Sequence, residues 1–405
     1  MLLTRLQTDA DAMPITYAEK GSGCKLKILM LLLYYHPHPT GLTYLAQVIA
    51  EGLVRRGHEV TVLVARHTKK TLLGESMLNG VRVIRLWAPV RISRGFIMPS
   101  YPWRLYRQLR KHDIVTIFTP SFECALAAFL ARIAGLKVVA SHTSDLILPE
   151  GAANKIVTRV MFAIFKFMAR RSACIISLSD DYADNSAWLA PFSSKVRAIY
   201  PPIAIPEPDV ESANRLRKKL RQSDGPLIGF SGRFVEEKRP ELLIQSLEVI
   251  NTKYPNARIV FTGQHEIPYE DTWERHRPLM ERFSSQLKFL GLLESKQELA
   301  NFYAACDVFV LPSDSEGFAM VQVEAMLCGT PVVMTDIPGG RVPVQETGMG
   351  KLAIPGDWRS IGETILKVLD DPETYIKPRE KIAETFSLED TLDQYEATFR
   401  EFARP

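Results

Sequence analysis

The stretch KLKILMLLLYYHPHPTGLTYLAQVIAEGLVRRGHEVTVLVA, residues 25–65, decides the fold. Residues 25–35 and 58–65 are short apolar runs typical of buried parallel strands. Between them, residues 42–57 space their apolar side chains as an amphipathic helix does, and Gly57 closes that helix. Because parallel strands need a crossover connection, this strand–helix–strand unit predicts a parallel α/β sheet.

The alternation of strands and helices continues through the chain and is interrupted once. Further predicted strands are 81–86, 113–118, 136–141, 173–179, 226–232, 257–263, 287–291, 307–313 and 330–336. Predicted helices lie near 101–111, 121–134, 152–170, 240–255, 272–284, 296–306, 317–328 and 388–403. The interruption is YPPIAIPEPD (200–209), because its prolines fit neither a helix nor a central strand. The sequence therefore predicts two Rossmann-like domains joined by a linker.

Four segments follow from this pattern. They are an N-terminal extension (1–24), a first domain (25–204), a second domain (205–385) and a C-terminal helix (386–405) that could close either domain. Ligands of such sheets bind at the carboxyl ends of the strands. We therefore expect the site in a deep cleft between the two domains.

Composition excludes several classes of protein. Of the 405 residues, 46% are hydrophobic and 24% charged, which rules out a disordered, collagenous or coiled-coil chain. The five cysteines form no CxxC pair, which predicts buried thiols in a reducing compartment and no zinc site. Residues 1–14 lack the apolar core of a secretory signal, and no run of 18 apolar residues occurs. We expect a cytoplasmic protein whose contact with a membrane is peripheral.

Two motifs of the second domain carry chemistry. In SGRFVEEKRPELLI (231–244), Arg233 and Lys238 lie beside a predicted helix start, which suits a diphosphate, although a solvated basic loop remains the alternative. In PSDSEGFAMVQVEAMLCGTPVV (312–333), Glu316 and Glu324 can face one cleft. Glu324 lies in an apolar helix and needs a partner, for which a ribose diol is suitable.

The expected start of that helix, near residue 317, adds main-chain donors. The N–H groups of Gly317, Phe318 and Ala319 could then hold sugar hydroxyls or phosphate. The alternative for each glutamate is a charge at a helix N-terminus or at the surface.

These residues together resemble the retaining glycosyltransferases of family GT4, which have the GT-B fold. The resemblance rests on E-x7-E with SEGF, EAM and CGTPVV, on GRF-x3-K, and on PTGLTYLAQVIAEGLVRRGHEVTVL in the first domain. It implies that Arg233 and Lys238 neutralise the nucleotide diphosphate, and that Glu316 contacts the donor sugar and Glu324 the ribose. No cofactor and no metal are implied, because the family is thought to transfer sugar by front-face substitution with the leaving diphosphate as base.

The resemblance assigns further positions. It implies that Gly41, which here stands without the usual second glycine, lets the backbone approach the donor phosphate. It also implies that Gly263 lies beside the nucleotide and that His142 of SHTSD (141–145) lies near the transferred centre. Asp145 either orients the acceptor or caps the next segment. His36 and His38 are interpreted as loop residues.

The charges are unevenly distributed. Residues 76–112 and 151–179 contain no acid and carry eight and five cations, so the net charge of +4 leaves −9 for the remainder. The first segment predicts a membrane surface made of cations with aromatic neighbours: Arg91, Arg94, Phe96, Trp103, Arg104, Arg107, Arg110 and Lys111. Residues 156–171 fit a membrane-facing helix or a core helix with snorkelling cations.

The predicted partners are a UDP- or GDP-linked sugar, an anionic membrane surface at the cytoplasmic face, and a lipid or lipid-linked acceptor. Nucleic acid is not expected, since it would need aromatics along a groove. The alternatives are a nucleotide-sugar epimerase or phosphorylase of GT-B fold and a non-catalytic nucleotide-sugar-binding scaffold. The sequence leaves the sugar, the base and the acceptor open.

Overall fold

A computed structural model describes residues 24–38, 40–68, 71–92, 95–148, 151–221, 223–265, 267, 271–293 and 295–405. The predicted N-terminal extension and Arg94 lie outside the described residues, except for Cys24. The strands are β1 Lys27–Leu31, β2 Glu59–Ala65, β3 Gly74–Leu78, β4 Val81–Leu86, β5 Val90–Ile92, β6 Gly95–Ile97, β7 Ile114–Thr119, β8 Val138–His142, β9 Cys174–Ser177, β10 Val196–Ala198, β11 Leu227–Ser231, β12 Arg258–Thr262, β13 Leu287–Phe289, β14 Val308–Leu311, β15 Val332–Thr335 and β16 Gly350–Ala353.

The helices alternate with these strands. They are α1 Gly41–Arg55, α2 Tyr101–Leu109, α3 Cys124–Ile133, α4 Ala152–Arg171, α5 Asp180–Asn185, α6 Val210–Leu220, α7 Pro240–Gln245, α8 Leu247–Ile250, α9 Thr272–Arg275, α10 Arg277–Arg282, α11 Lys296–Ala305, α12 Met320–Leu327, α13 Val342–Thr347, α14 Trp358–Asp370, α15 Pro372–Tyr375, α16 Arg379–Thr385 and α17 Leu388–Phe402. The predicted single helices near 240–255 and 272–284 are wrong in detail, because each is two short helices.

Two separate sheets confirm the predicted α/β fold. The first has the strand order β10-β9-β8-β7-β1-β2-β4-β3 and the second β13-β12-β11-β14-β15-β16. Within these two sheets all pairings are parallel except β3 with β4, a hairpin joined by a short loop. Strands β5 and β6 form a separate antiparallel pair. The strand order reverses beside β1 and beside β11, so ligands are expected where the loops after these two strands lie.

The C-terminal helix α17 crosses back onto the first domain. The Arg56 guanidinium, with a side chain 1% exposed, meets Glu389 at 2.5 Å, Asp393 at 2.6 Å and Glu396 at 3.2 Å. A Cβ on Gly52 would lie 2.6 Å from a side-chain carbon of Leu392, so α1 and α17 pack closely and a larger residue there would require Leu392 to shift. The chain therefore leaves the first domain at residues 199–209, which form neither helix nor strand, and returns to it at its end.

Candidate active site at the junction of the two domains

The loops after β8 and β14 bring the two domains together. A Cβ on Gly317 would lie 1.9 Å from the carbonyl oxygen of Thr143, so only glycine permits this approach. A Cβ on Gly41, at the start of α1, would lie 3.2 Å from Cε of Met320, at the start of α12. The N-termini of these two helices therefore face each other across the junction, where both offer main-chain N–H groups.

An ion pair connects the two predicted motifs of the second domain. Lys238 ends a 3₁₀ turn after β11, and its Nζ contacts Oε1 of Glu316. Oγ of Ser313 donates a hydrogen bond of 2.8 Å to the same carboxylate oxygen. The Glu316 side chain is only 9% exposed, so the carboxylate depends on these two donors. The structure thus places the predicted cation and the predicted sugar-binding acid in contact.

Arg233 lies five residues before Lys238 in the same loop. Its guanidinium is 3.3 Å from Oε1 of Glu237, and the side chain is 30% exposed. Both predicted diphosphate-binding cations are therefore beside the junction of the domains, each with a carboxylate. A phosphate group could exchange with those carboxylates, because Lys and Arg bind either anion.

The helix that carries Glu324 begins later than the sequence predicts. It starts at Met320, after Ala319 in the left-handed region with φ of +56°, so Glu324 lies about one turn inside it and not two. The ring of Phe318 is buried against Tyr200 and Phe386, which leaves only its main chain for a ligand. Among the described residues, no main-chain N–H of 317–321 donates a hydrogen bond.

Glu324 already has protein partners on both oxygens. Nζ of Lys296 lies 2.6 Å from Oε1, and the Tyr303 hydroxyl donates to Oε2 at 3.0 Å. Burial opposes protonation of Lys296, but Glu324 and Tyr44 together outweigh it and raise the lysine pKa. Lys296 and Tyr303 therefore supply the partner that the sequence required for Glu324, and the contact of Glu324 with a ribose stays a prediction.

Lys296 also reaches the first domain. Its Nζ lies 3.8 Å from the ring centroid of Tyr44 in α1, whose hydroxyl donates to the carbonyl of Ala204 at 2.5 Å. Burial raises the pKa of Tyr44, so the hydroxyl remains a donor. Sequence reasoning missed Lys296, Tyr303 and Tyr44, and the one available signal was the unexplained carboxylate in an apolar helix.

A second link between the domains was also missed. The Arg341 guanidinium pairs with Asp181 of α5 at 2.6 Å, and the N–H of Gly339 donates to the same carboxylate at 2.7 Å. A Cβ on Gly339 would meet the carbonyl of Gly317 at 2.5 Å. Asp181 therefore holds in place the loop of Gly339 and Arg341, which packs against Gly317 at the junction of the domains.

Gly263 follows β12 at the nucleotide side that the sequence predicts. Its φ is +117°, and a Cβ there would lie 2.3 Å from the carbonyl oxygen of Gly232. Its N–H donates to the carbonyl of Gly291 at 2.8 Å. The close packing of three strand ends explains why residue 263 is a glycine. The contact of Gly263 with a nucleotide stays a prediction.

His142 lies in a place that does not fit the predicted catalytic role. Its side chain is 0% exposed; Nδ1 is 2.9 Å from Oγ1 of Thr119, and Nε2 is 2.9 Å from Oδ1 of Asp145. Because both ring nitrogens are engaged inside the domain, neither is available to a donor sugar. The sequence located His142 at a strand end but could not tell which way the ring points.

Asp145 anchors the segment that follows α5. It accepts hydrogen bonds from Oγ of Ser186 at 2.6 Å and from the N–H of Trp188 at 3.3 Å. Burial favours its neutral form, but these bonds and the one with His142 outweigh burial and lower the pKa of Asp145. Of its two predicted roles, this geometry favours the structural one.

The predicted membrane surface is exposed only in part. Trp103 is 61% exposed, and the guanidinium carbons of Arg104 and Arg107 lie 5.7 and 5.6 Å from its ring centroid. Arg91, Arg110 and Lys111 are exposed as well, whereas Phe96 is half-buried. Met98 and Tyr101, in the same basic segment, are each 7% exposed and belong to the core.

Two neighbouring helices extend this surface. Helix α3 exposes an apolar stripe at Leu126, Phe129 and Ile133, with spacing of three and four residues. Helix α4 exposes Ile156 and Val160 near its start and buries its other face. One face of 156–171 is therefore core, as one alternative predicts, and contact of the exposed start of the helix with a membrane stays a prediction. No helix in the described part of the chain is long and apolar enough to cross a membrane.

Comparisons with known proteins agree with this architecture. Residues 212–385 match the family model for glycosyl transferases group 1, and residues 40–202 match that for the glycosyl transferase 4-like domain. An uncharacterized glycosyltransferase of Methanocaldococcus jannaschii is 28% identical over 85% of this chain and 90% of its own length. A GDP-mannose-dependent alpha-(1-6)-phosphatidylinositol monomannoside mannosyltransferase of Mycolicibacterium smegmatis is 25% identical over the same shares of the two chains.

Among solved structures, Anabaena HepE in complex with UDP-glucose has the same fold. Its TM-score is 0.74 at 20% identity, covering 93% of this chain and 100% of that one. Sucrose-phosphate synthase from Thermosynechococcus elongatus gives a TM-score of 0.74 at 19% identity, covering 93% and 99%.

Proposed function

The chain belongs to the GT4-type glycosyltransferases of GT-B fold, and on that premise we propose a specific reaction. In this reaction the protein transfers a hexose from a nucleotide-diphosphate sugar to a membrane lipid or lipid-linked acceptor. The anomeric configuration is retained, no metal ion takes part, and the protein works while bound peripherally to an anionic membrane.

The contact between Lys238 and Glu316, at the junction of the domains, carries this proposal. A leaving diphosphate gains negative charge as the sugar departs, so a preorganised cation stabilises the transition state more than the ground state. Arg233, in the same loop, supplies a second positive charge. Glu316 lies where a sugar held beside that diphosphate would offer its hydroxyl groups.

Retention follows in this proposal from the role of the leaving group. The leaving diphosphate accepts the proton of the acceptor hydroxyl on the face from which it departs, and that hydroxyl attacks the same face. Arg233 and Lys238 carry the charge neutralisation that a metal would otherwise supply. Product stereochemistry by NMR and activity in excess EDTA test these two points: an inverted anomer or an EDTA-sensitive rate contradicts them.

The donor is tested first by ligand binding. We expect one class of nucleotide sugar in a panel of UDP, GDP and ADP sugars to raise the thermal midpoint, since a ligand that binds only the native state stabilises it. Release of nucleotide diphosphate should then require lipid extract. A chain that binds no member of the panel, or turns over without any acceptor, contradicts the proposal. Turnover without an acceptor would instead favour an epimerase or a hydrolase.

The membrane claim is supported by exposed apolar side chains beside cations on α2 and α3, and by the lipid acceptor in the name of the mycobacterial relative. Trp103→Ser with Phe129→Ser should weaken flotation with anionic vesicles strongly. Ile354→Ser with Ile376→Ser removes residues 62% and 45% exposed in the second domain and serves as the matched control. Equal flotation of both double variants would contradict the assignment.

A further inference from the structure

Rings from three separate segments meet at the carboxyl ends of β1 and β2. Tyr34 stacks on His38 with centroids 4.2 Å apart, and His38 lies 5.2 Å from His67. Phe96 of β6 meets Tyr34 edge-on at 5.4 Å. These four half-buried side chains, here named the ring cluster, lie outside the contacts described above for the donor loops.

The charged groups that face the ring cluster share one sign. Those that act on His38 are Arg91 of β5 and Arg233 of the second domain, and His67 acts in the same direction when it is protonated. Arg85 of β4 acts on His67 and donates to the carbonyl oxygen of His36 at 2.9 Å. Among the described residues, no carboxylate contributes to the electrostatic surroundings of either imidazole.

Burial and these neighbouring cations both favour the neutral forms of the two histidines. Burial, followed by His67, Arg233 and Arg91, lowers the pKa of His38 to about 4. Burial and Arg85 lower the pKa of His67. Both imidazoles are therefore neutral at pH 7. An anion bound between them would favour their protonated forms and reverse these shifts.

We propose that the ring cluster, with Arg91, binds a phosphate-bearing polyol head group of the acceptor. The phosphate lies between Arg91 and the two imidazoles, and the rings of Tyr34 and Phe96 cover the apolar edge of the polyol. This inference rests on the proposed function and narrows its acceptor to one that carries phosphate.

The position of the ring cluster suits an acceptor better than a donor. Arg91 belongs to the basic segment that continues to Trp103, whereas Arg233 is the diphosphate residue of the other domain. A head group in the ring cluster would therefore have the membrane surface on one side and the donor diphosphate on the other. A polyol hydroxyl could then approach the transferred sugar while the phosphate stays with the first domain.

The test follows the imidazole resonances of the full-length protein by NMR, assigned with His38→Gln and His67→Gln. The probes are inorganic phosphate, myo-inositol and inositol 1-phosphate, then phosphatidylcholine vesicles with and without phosphatidylinositol. We expect inositol 1-phosphate to raise the titration midpoints of His38 and His67 by about one pH unit. Myo-inositol should leave both midpoints unchanged. The two vesicle types show whether a lipid head group acts as the soluble compound does.

Arg91→Gln should weaken binding of inositol 1-phosphate about tenfold, as expected for one charge-assisted contact. Arg132→Gln, an exposed arginine of α3, is the matched control.

Unchanged titration midpoints of His38 and His67 overturn the proposal, as does a full response to inorganic phosphate alone at equal affinity. A response to UDP that inositol 1-phosphate does not increase assigns the ring cluster to the donor and also overturns it. If one of these results overturns the ring-cluster proposal while the protein still binds a nucleotide sugar, the proposed function stands. If the protein also fails to bind a nucleotide sugar, the result counts against both the ring-cluster proposal and the proposed function.

Discussion

The two domains present different edges to the cleft they share. The second domain offers paired charges, with Lys238 on Glu316 and Lys296 on Glu324. The first domain offers the half-buried ring cluster, while its His142 is fully buried behind that edge. A charged side chain that is already paired can exchange its partner for a ligand. The buried rings change their protonation or their packing only when an anion or a polyol enters. Under the assignments proposed above, the edge of the second domain is the donor edge and that of the first domain is the acceptor edge. Donor and acceptor binding should then rest on different physical interactions and be open to separate disruption.

The largest expected effect comes from breaking the donor edge. Glu316→Gln removes the carboxylate that holds Lys238 and the predicted contact with the sugar, so we expect turnover to fall about 10³-fold. Release of nucleotide diphosphate measures it. Glu363→Gln, an exposed carboxylate of α14, is the control. Near-normal turnover of Glu316→Gln would show that the donor edge does not depend on this pair.

A smaller effect tests how far the donor edge depends on burial. Lys296→Met leaves the carboxylate of Glu324, 4% exposed, without its cation, so we expect a loss of about 3 kcal/mol of unfolding free energy. Lys253→Met breaks a pair whose partners are 51% and 42% exposed, and should cost far less, because solvent screens an exposed pair. Urea unfolding compares them. Equal losses of unfolding free energy in the two variants would mean that the contribution of the Lys296–Glu324 pair to stability does not come from the burial of Glu324.

The first domain allows a pH test. Asp145 has a lowered pKa in the folded state, so its stabilising contribution is present above the unfolded value of about 3.9. That contribution is lost as pH falls through the lower folded value. Asp145→Asn should therefore cost about 1–2 kcal/mol at pH 6, and the difference from wild type should shrink below pH 4.

The exposed Asp184, changed to Asn, controls for this experiment. It should show a small difference that does not vary with pH. A pH-independent loss for Asp145→Asn would contradict the hydrogen-bond explanation of the Asp145 pKa.

The smallest effect concerns the backbone before α12. Ala319 has φ of +56°, which favours glycine, so Ala319→Gly should stabilise the protein by about 1 kcal/mol. Ala163→Gly, at an exposed site inside α4, should destabilise it by a similar amount. Thermal midpoints separate the two signs. A loss of stability at residue 319 would mean that its neighbours require the methyl group.

The donor edge was largely predictable because its residues lie in short continuous motifs. Arg233 and Lys238 are five residues apart, and Glu316 and Glu324 are eight apart, so local spacing already placed them at strand ends. The start of α12 was predicted three residues early, because the left-handed conformation of Ala319 has no signal in a non-glycine residue.

The acceptor edge was less predictable. His142 was expected in the cleft, but Thr119 and Asp145 hold both of its nitrogens. The ring cluster combines residues 34, 38, 67 and 96, which lie in separate segments of the chain. In the second domain, likewise, Glu324 pairs with Lys296, which is 28 residues away in the chain. Such contacts depend on strand order and side-chain direction, which periodicity does not report.

The sequence by itself determined the two parallel sheets, the proline-rich connection and the cations and carboxylates of the donor edge, because periodicity and motif spacing are local properties of the chain. Only the tertiary structure decided the return of α17 to the first domain, the Gly317–Thr143 junction, the burial of His142 and the ring cluster. Each of these brings together residues that are far apart in the chain. Their energies depend on burial and distance, which exist only once the two sheets are packed.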